Sequence, residues 1–270
     1  MLSTALIVFR EILEAALVVS IVLAATKTVP GRGWWVGGGV AGGILGACLV
    51  AGFASAIASW ASGMGQEVFN ASVMFVAVIM LAWHSVWMGR HGREMARHLG
   101  AVGQAVTAGS KPFGLAVVVS VAVLREGSEV VLFLYGIAAG ESGQTGQMVL
   151  GGLLGVLGGA GLGAAMYYGL LRISSRRLFT VTNGLIILLA AGMASQGIGF
   201  LVDANLLPAW GDMVWDTSRV LSDTGLVGKM LHTLVGYTAR PAGIQIVGYL
   251  ATLSLIVIMV RQFGQPAKKA

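Results

Sequence analysis

Apolar stretches of about 20 residues or more, separated by short polar segments, recur from one end of the chain to the other. The hydrocarbon core of a bilayer is about 30 Å thick and takes about 20 residues of helix to cross. The pattern therefore predicts seven transmembrane helices, over about 2–26, 33–58, 68–89, 113–138, 147–171, 178–202 and 242–261. What remains is one sizeable loop, about 203–240, within which Asp216 and Ser222 or Asp223 are placed to cap short helices.

Two of the seven spans break the apolar pattern at their centres. Residues 10–14 read Arg-Glu-Ile-Leu-Glu and residues 125–129 read Arg-Glu-Gly-Ser-Glu. Charge inside a membrane helix is costly, and it normally faces a bundle interior or a transport path. At 1.5 Å per residue both motifs lie roughly 15–20 Å from either helix end. Glutamates three residues apart share a helix face, and the arginine four before the second glutamate lies beside it. If the two helices pack together, Glu11, Glu14, Glu126 and Glu129 converge with Arg10 and Arg125, for a formal sum of −2. Carboxylate oxygens in that number suit a hard, multivalent cation. The arginines are the charge partners that keep the carboxylates ionised without it. The bland alternative is a pair of Arg–Glu locks that only join helices.

The motifs sit three spans apart, so their helices run in opposite directions. The next span of each half carries glycines at four-residue spacing: Gly38, Gly42 and Gly46 in one, Gly151, Gly155, Gly159 and Gly163 in the other. Such a face lets helix backbones approach closely. The expected fold is thus an all-α integral membrane protein with a 3+3 inverted repeat plus a seventh helix. It forms one membrane domain over 1–270, with repeat one about 2–89, repeat two about 113–202, an outer loop 203–240 and the seventh helix about 242–261. Inverted repeats of this kind belong to secondary transporters, whose site lies near the midplane between the repeats.

Composition and charge agree. The chain is 56% hydrophobic and 10% charged, with 41 glycines, outside the soluble range. The net charge of +6 does not indicate nucleic acid, because it is sorted by side. Lys27, Arg32, Arg90, Arg93, Arg97, Lys111, Arg172, Arg176, Arg177, Arg261, Lys268 and Lys269 fall on one side; Arg219, Lys229 and Arg240 fall on the other. The positive-inside rule then places the N-terminus outside and the C-terminus inside. The first span lacks a basic leader and holds Arg10, Glu11 and Glu14, so no cleavable signal peptide is expected. The single cysteine, Cys48, reads as a small apolar core residue, and no soft-metal thiolate cluster is available.

Weaker candidates for a path or entry remain. His84 is either a helix-end histidine that hydrogen-bonds or a ligand for metal in transit. Gln196, with Ser195 and Asn183, either lines a path or bridges helices. Asp203, Asp212, Asp216 and Asp223 give the outer loop an acidic mouth or serve as caps. Met64, Met74, Met80 and Met88 read as core filler, and Trp34, Trp35, Trp60 and Trp87 as interface anchors.

The paired motifs resemble those of the oxidase-dependent high-affinity iron permeases, a family that includes fungal plasma-membrane permeases and bacterial EfeU-type permeases. The first copy matches the R-E-x-L-E form in full; the second has Ser128 in place of leucine and keeps all three charges. The segments Leu-Ala-Trp-His-Ser-Val-Trp-Met (81–88), Trp-Asp-Thr-Ser-Arg-Val-Leu-Ser-Asp (215–223) and Leu-His-Thr-Leu-Val-Gly-Tyr (231–237) are also similar to bacterial members. The resemblance implies iron import from outside, through the bacterial cytoplasmic (inner) membrane. It implies iron as transported substrate, with no bound cofactor. It also implies a separate extracytoplasmic ferroxidase or delivery protein that supplies ferric iron, and Glu11, Glu14, Glu126 and Glu129 as iron ligands. The family's outer-region glutamate motif has no clear match here. Three other readings stay open: a permease for ferrous iron, manganese or lead; a metal-binding membrane protein without flux; and an intramembrane hydrolase using Ser128 and His84. No His-Glu-x-x-His motif supports the last, and no enzyme is expected.

Overall fold

In the computed structural model, residues 1–27, 29–61, 65–107, 113–140, 145–169, 175–211, 213–222 and 225–263 are described. Among these the chain is all helical. It forms α1 (Leu2–Ala25), α2 (Arg32–Ala61), α3 (Gln66–Thr107), α4 (Phe113–Gly140), α5 (Thr145–Tyr167), α6 (Ser175–Asp203), α7 (Leu226–Val235) and α8 (Gly243–Phe263).

Five of these helices are long and apolar enough to cross a membrane: α2, α3, α5, α6 and α8. The two long helices outside that set are α1 and α4, which carry the three-charge motifs. α3 extends well beyond the expected end near residue 89. Hydropathy marks where the apolar stretch stops, whereas arginine, glutamate and methionine continue a helix readily. α7 lies within the expected outer loop and ends at Gly236, whose left-handed φ of 72° suits glycine at that position. α1 closes through Thr26, whose Oγ1 donates to Val22 O at 2.7 Å, while Arg32 donates to the free carbonyl of Leu23 at 2.9 Å.

Burial is inverted relative to a water-soluble protein. Arg10, Glu11, Glu14, His84 and Glu126 are buried, while Leu45, Leu49, Phe53, Ile79, Leu157 and Ile258 are exposed. Apolar surface on this scale facing outward marks lipid contact. Together with the span lengths it makes the chain an integral membrane protein. Cys48 is exposed on that outward surface, which corrects its reading as a core residue. Trp87, at the end of the apolar span of α3, also lies with its ring beneath the Arg125 guanidinium, 4.2 Å from the cation.

The glycine faces define the packing. α5 lies along α1, and α2 lies along α4. A Cβ at Gly155 would stand 2.8 Å from Ala5 O, and one at Gly159 would stand 2.7 Å from Phe9 O, so both glycines sit directly against the α1 backbone. On α2 the expected face makes contact at Gly42, which meets Ser120, and at Gly46, and the contact extends to a neighbouring face. Gly38 meets nothing within 4 Å, whereas Gly39 faces Ala116, Gly43 faces Ser120 and Val123, and Gly46 faces Leu124. α3 packs against α6 and α4, and α1 against α4. The central core gathers Ile7, Leu81, Phe133, Ile137, Ile186 and Met193 from those four helices.

Candidate metal site

The two charged motifs meet at the α1–α4 contact, with α3 wedged beside them. On α1, Arg10 lies 3.0 Å from Glu11 and 3.1 Å from Glu14. On α4, Arg125 Nε lies 3.2 Å from Glu129 Oε1, one helical turn on. From α3, His84 joins the two. Its Nε2 is 3.5 Å from Glu14 Oε2, and its Nδ1 pairs closely with Glu129 Oε2. A histidine expected at a helix end, as path or prop, thus occupies the centre of the cluster.

The donor geometry fits a cation. Glu11, Glu14 and His84 offer ligand atoms within 4.8 Å of one another, and so do Glu11, Glu126 and Glu129. Glu11 belongs to both groups. Glu11 Oε2 and Glu126 Oε2 are buried with no hydrogen-bond partner. Buried carboxylate oxygens are ordinarily satisfied, and such an exception calls for a functional account. Arg10 Nε is buried and unpartnered as well. Ser128 donates to Leu124 O at 2.6 Å, along its own helix, and so is tied to the backbone and not to His84.

The remaining candidates lie elsewhere. Gln196, on α6, sits 3.0 Å from His232 of α7 and lines a cavity with Asp203. Asp216 accepts from Ser218 N at 3.0 Å and from Ser218 Oγ at 2.5 Å, and pairs with Arg240 at 3.0 Å. Those contacts, led by Ser218, hold its pKa down at about 2. It staples a turn between residue 216 and the start of α8. Asp212 and Asp223 lie outside the described residues.

Comparison with known proteins decides the family. Residues 1–264 match the family described as Iron permease FTR1 family. The chain belongs to it. The chain is similar to the ferrous iron permease EfeU of Yersinia pestis, 32% identical over 270 residues, covering 98% of this chain and 94% of that one. The protein of the same name from Yersinia pseudotuberculosis serotype I is also 32% identical, over 98% and 93% of the two chains. That of Escherichia coli O6:H1 is 34% identical over 242 residues, 88% of this chain and 87% of its own. No solved structure gives a significant match. These relatives are named as permeases, not as enzymes.

Proposed function

We propose that this protein imports iron across the bacterial cytoplasmic membrane through the carboxylate–histidine cluster between α1, α3 and α4. The observation that carries the reading is the convergence of both motifs on His84, with Glu11 Oε2 and Glu126 Oε2 left as free buried ligand atoms. Glu11, Glu14, Glu126, Glu129 and His84 are the ligands. Arg10 pairs with Glu11 and Glu14, and Arg125 with Glu129, between loads, and both release their partners when a cation supplies the positive charge.

The imidazole bears on the oxidation state. Four carboxylates alone suit ferric iron; a nitrogen donor among them suits the softer ferrous ion. The relatives' names point the same way. Ferrous iron is the substrate in this reading. Ferric iron handed over by a separate extracytoplasmic oxidase is the second reading, and the resemblance of the motifs favours it. Manganese and lead are the competing cargoes, and a metal-binding protein without flux is the competing class.

The chain is read as one domain crossing seven times, through α1–α6 and α8, with its N-terminus outside. The packing supports an inverted repeat. α1 lies on α5 and α4 lies on α2, so each half lends its glycine helix to the charged helix of the other. Exchanging the halves maps one pair onto the other. The repeats then rearrange about the cluster to open it inward.

The test is iron uptake into proteoliposomes, with ferrous and ferric iron supplied separately. Saturable entry that disappears in both Glu14→Ala and Glu129→Ala, with folding intact, is the expected result. Unchanged entry in both variants reduces the motifs to helix locks.

A further inference from the structure

Two voids lie end to end beside α6, apart from the carboxylate cluster. The wider, about 210 Å³, opens between α6, α7 and the start of α8, and is lined in part by Gln196, Asp203, His232 and Gln245. The narrower, about 20 Å³, lies against Ser3, Met74, Ile137 and Met193 and has room for about one water. Gln196 and His232 line both. Their contact, Nε2 to Nε2 at 3.0 Å, is the partition between the two voids. The close approach of Gly192 to Gly236 holds α7 in place for it: a Cβ at Gly192 would stand 2.6 Å from Gly236 Cα.

The hydrogen bonding of His232 is that of a ligand. Its Nδ1 lies 2.7 Å from Tyr237 O. A carbonyl only accepts, so Nδ1 carries the hydrogen and Nε2 presents its lone pair toward the Gln196 amide, which donates. With Nδ1–H anchored on a carbonyl, as in histidines that bind metal, His232 has an Nε2 lone pair held only by the neutral Gln196 amide, which a cation can displace. The Asp203 carboxylate faces the same void.

The narrow void also points at the cluster. Three of its lining residues have an ionisable residue farther along the same face of their own helix, in steps of three, four or seven. Ser3 leads through Ile7 to Glu11, Ile137 through Phe133 to Glu129, and Met74 through Leu81 to His84. Ile7, Leu81 and Phe133 are all fully buried and belong to one apolar cluster. Along their three helices they stand between the void and the ionisable residues. Eight residues separate Ser3 from Glu11, about 12 Å of helix.

We propose that the wider void is an outer cation site, where His232 Nε2, released by the Gln196 amide, and the Asp203 carboxylate take a divalent cation of ferrous-iron type before it passes the apolar residues, while Gln245, whose amide oxygen accepts from Ala242 N at 2.9 Å, holds the start of α8 beside it. Its place on an import route rests on the proposed function above. Imidazole in the donor set favours ferrous iron over magnesium.

The test measures binding of radioactive ferrous iron to the purified full-length protein under anaerobic conditions, together with uptake into proteoliposomes. His232→Asn keeps an amide donor for Tyr237 O and lacks Nε2. It is expected to lose one class of bound iron and retain the other. Its half-saturating ferrous iron for uptake rises about 10–100-fold, the usual scale for damage to a metal site, while the maximal rate is retained. Glu11→Gln combined with Glu14→Gln is expected to lose the other class and retain the outer one, and excess magnesium does not displace the outer ion. If His232→Asn binds as much iron as wild type with unchanged half-saturation, the outer site is overturned, whatever the glutamate variants do. A lower maximal rate at unchanged half-saturation makes His232 a structural prop and overturns it equally. Should the glutamate variants transport normally while His232→Asn loses its bound iron, the outer site stands and the cluster reading falls.

Discussion

The two copies of the charged motif have nearly the same sequence and live in different surroundings. The Arg10 side chain is 3% exposed, between Glu11 and Glu14, which are equally buried. The Arg125 side chain is 32% exposed, held by Glu129 on one side and the Trp87 ring on the other. The difference comes from packing. Beside the first motif, Gly159 of α5 lies on Phe9 O and Ile12; beside the second, Gly43 of α2 lies on Ser120 O and Val123, and Gly46 on the Leu124 side chain alone. An identical Arg–Glu pair is therefore a deeply desolvated element in one half and a partly open one in the other. The first copy is the enclosed half of the cluster, and the second is the more open half.

Removing the arginines is the sharpest way to break this comparison. Arg10→Ala leaves Glu11 and Glu14 buried without their cation and is expected to cost about 3–5 kcal/mol. Arg125→Ala is expected to cost about 1 kcal/mol or less for the ion pair, plus about 0.5–1 kcal/mol for the contact with the ring. Unfolding in mixed detergent micelles measures both. Equal losses would show that the two copies are energetically equivalent despite their burial.

Transport reads the same asymmetry at the carboxylates. Glu11 is shared by both candidate ligand groups, whereas Glu126 belongs to one. Glu11→Gln is expected to lower ferrous iron uptake about 100-fold or more, since losing even a group that only orients a metal ligand costs about 10–100-fold. Glu126→Gln is expected to lose less, and His84→Ala about as much as Glu126→Gln. Initial rates over a range of iron concentrations separate the three, and a Glu126→Gln loss larger than that of Glu11→Gln contradicts the shared role.

What the chain revealed before folding follows the same physical divide. The four glutamates were legible because charge in an apolar helix has few inexpensive explanations. The α5 stripe was legible because Gly151, Gly155, Gly159 and Gly163 keep one spacing over most of the helix, although Gly152, Gly158 and Gly161 lie off it. α2 was legible in part: Gly42 and Gly46 meet α4 as their spacing suggests, but Gly37, Gly38, Gly39 and Gly43 offer other faces at once. Only the position of α4 selects Gly39 and Gly43 and leaves Gly38 without a neighbour. His84 was legible as one of two things, a helix-end prop or a ligand in transit, and its place between Glu14 and Glu129 was not, since that depends on α3 wedging between two helices remote in sequence. His232 and Gln196 are 36 residues apart on separate helices, and no local pattern joins them.

The helix contacts yield the next effect in size. A Cβ at Gly159 would stand 2.7 Å from Phe9 O and 3.0 Å from Ile12 Cβ, neither of which moves without shifting α1. At Gly46 the nearest atom, at 2.7 Å, is Leu124 Cδ1, the end of a flexible side chain. Gly159→Ala is expected to cost about 1–3 kcal/mol, the usual range for overpacking. Gly46→Ala is expected to cost clearly less, because Leu124 can change rotamer. Measured in the same micelles, a larger loss at Gly46 would place the rigid contact on the α4 side.

A third arginine–carboxylate pair carries the comparison into water and gives the smallest effect. Arg240 meets Asp216 at 3.0 Å with its side chain 61% exposed. Solvent and salt screen such a pair, so Arg240→Ala is expected to leave global unfolding unchanged, in contrast to Arg10→Ala. Its influence is local and has a definite sign. Hydrogen bonds from Ser218, then the contact with Arg240, lower the Asp216 pKa from 3.8 to about 2. A carboxylate whose pKa is lower folded than unfolded stabilises its loop fully above the unfolded value and loses that contribution as pH falls through the folded one. The turn at 216–218 should therefore hold at pH 4 and loosen towards pH 2. Trp215, which donates to Thr238 O at 3.3 Å across the same loop, reports it by fluorescence. Asp216→Asn removes the transition. A fluorescence change near pH 4 in wild type would mean that Asp216 titrates as a free carboxylate, and that the loop is held by its backbone bonds from Thr217 N to Ala239 O and from Val214 N to Pro241 O.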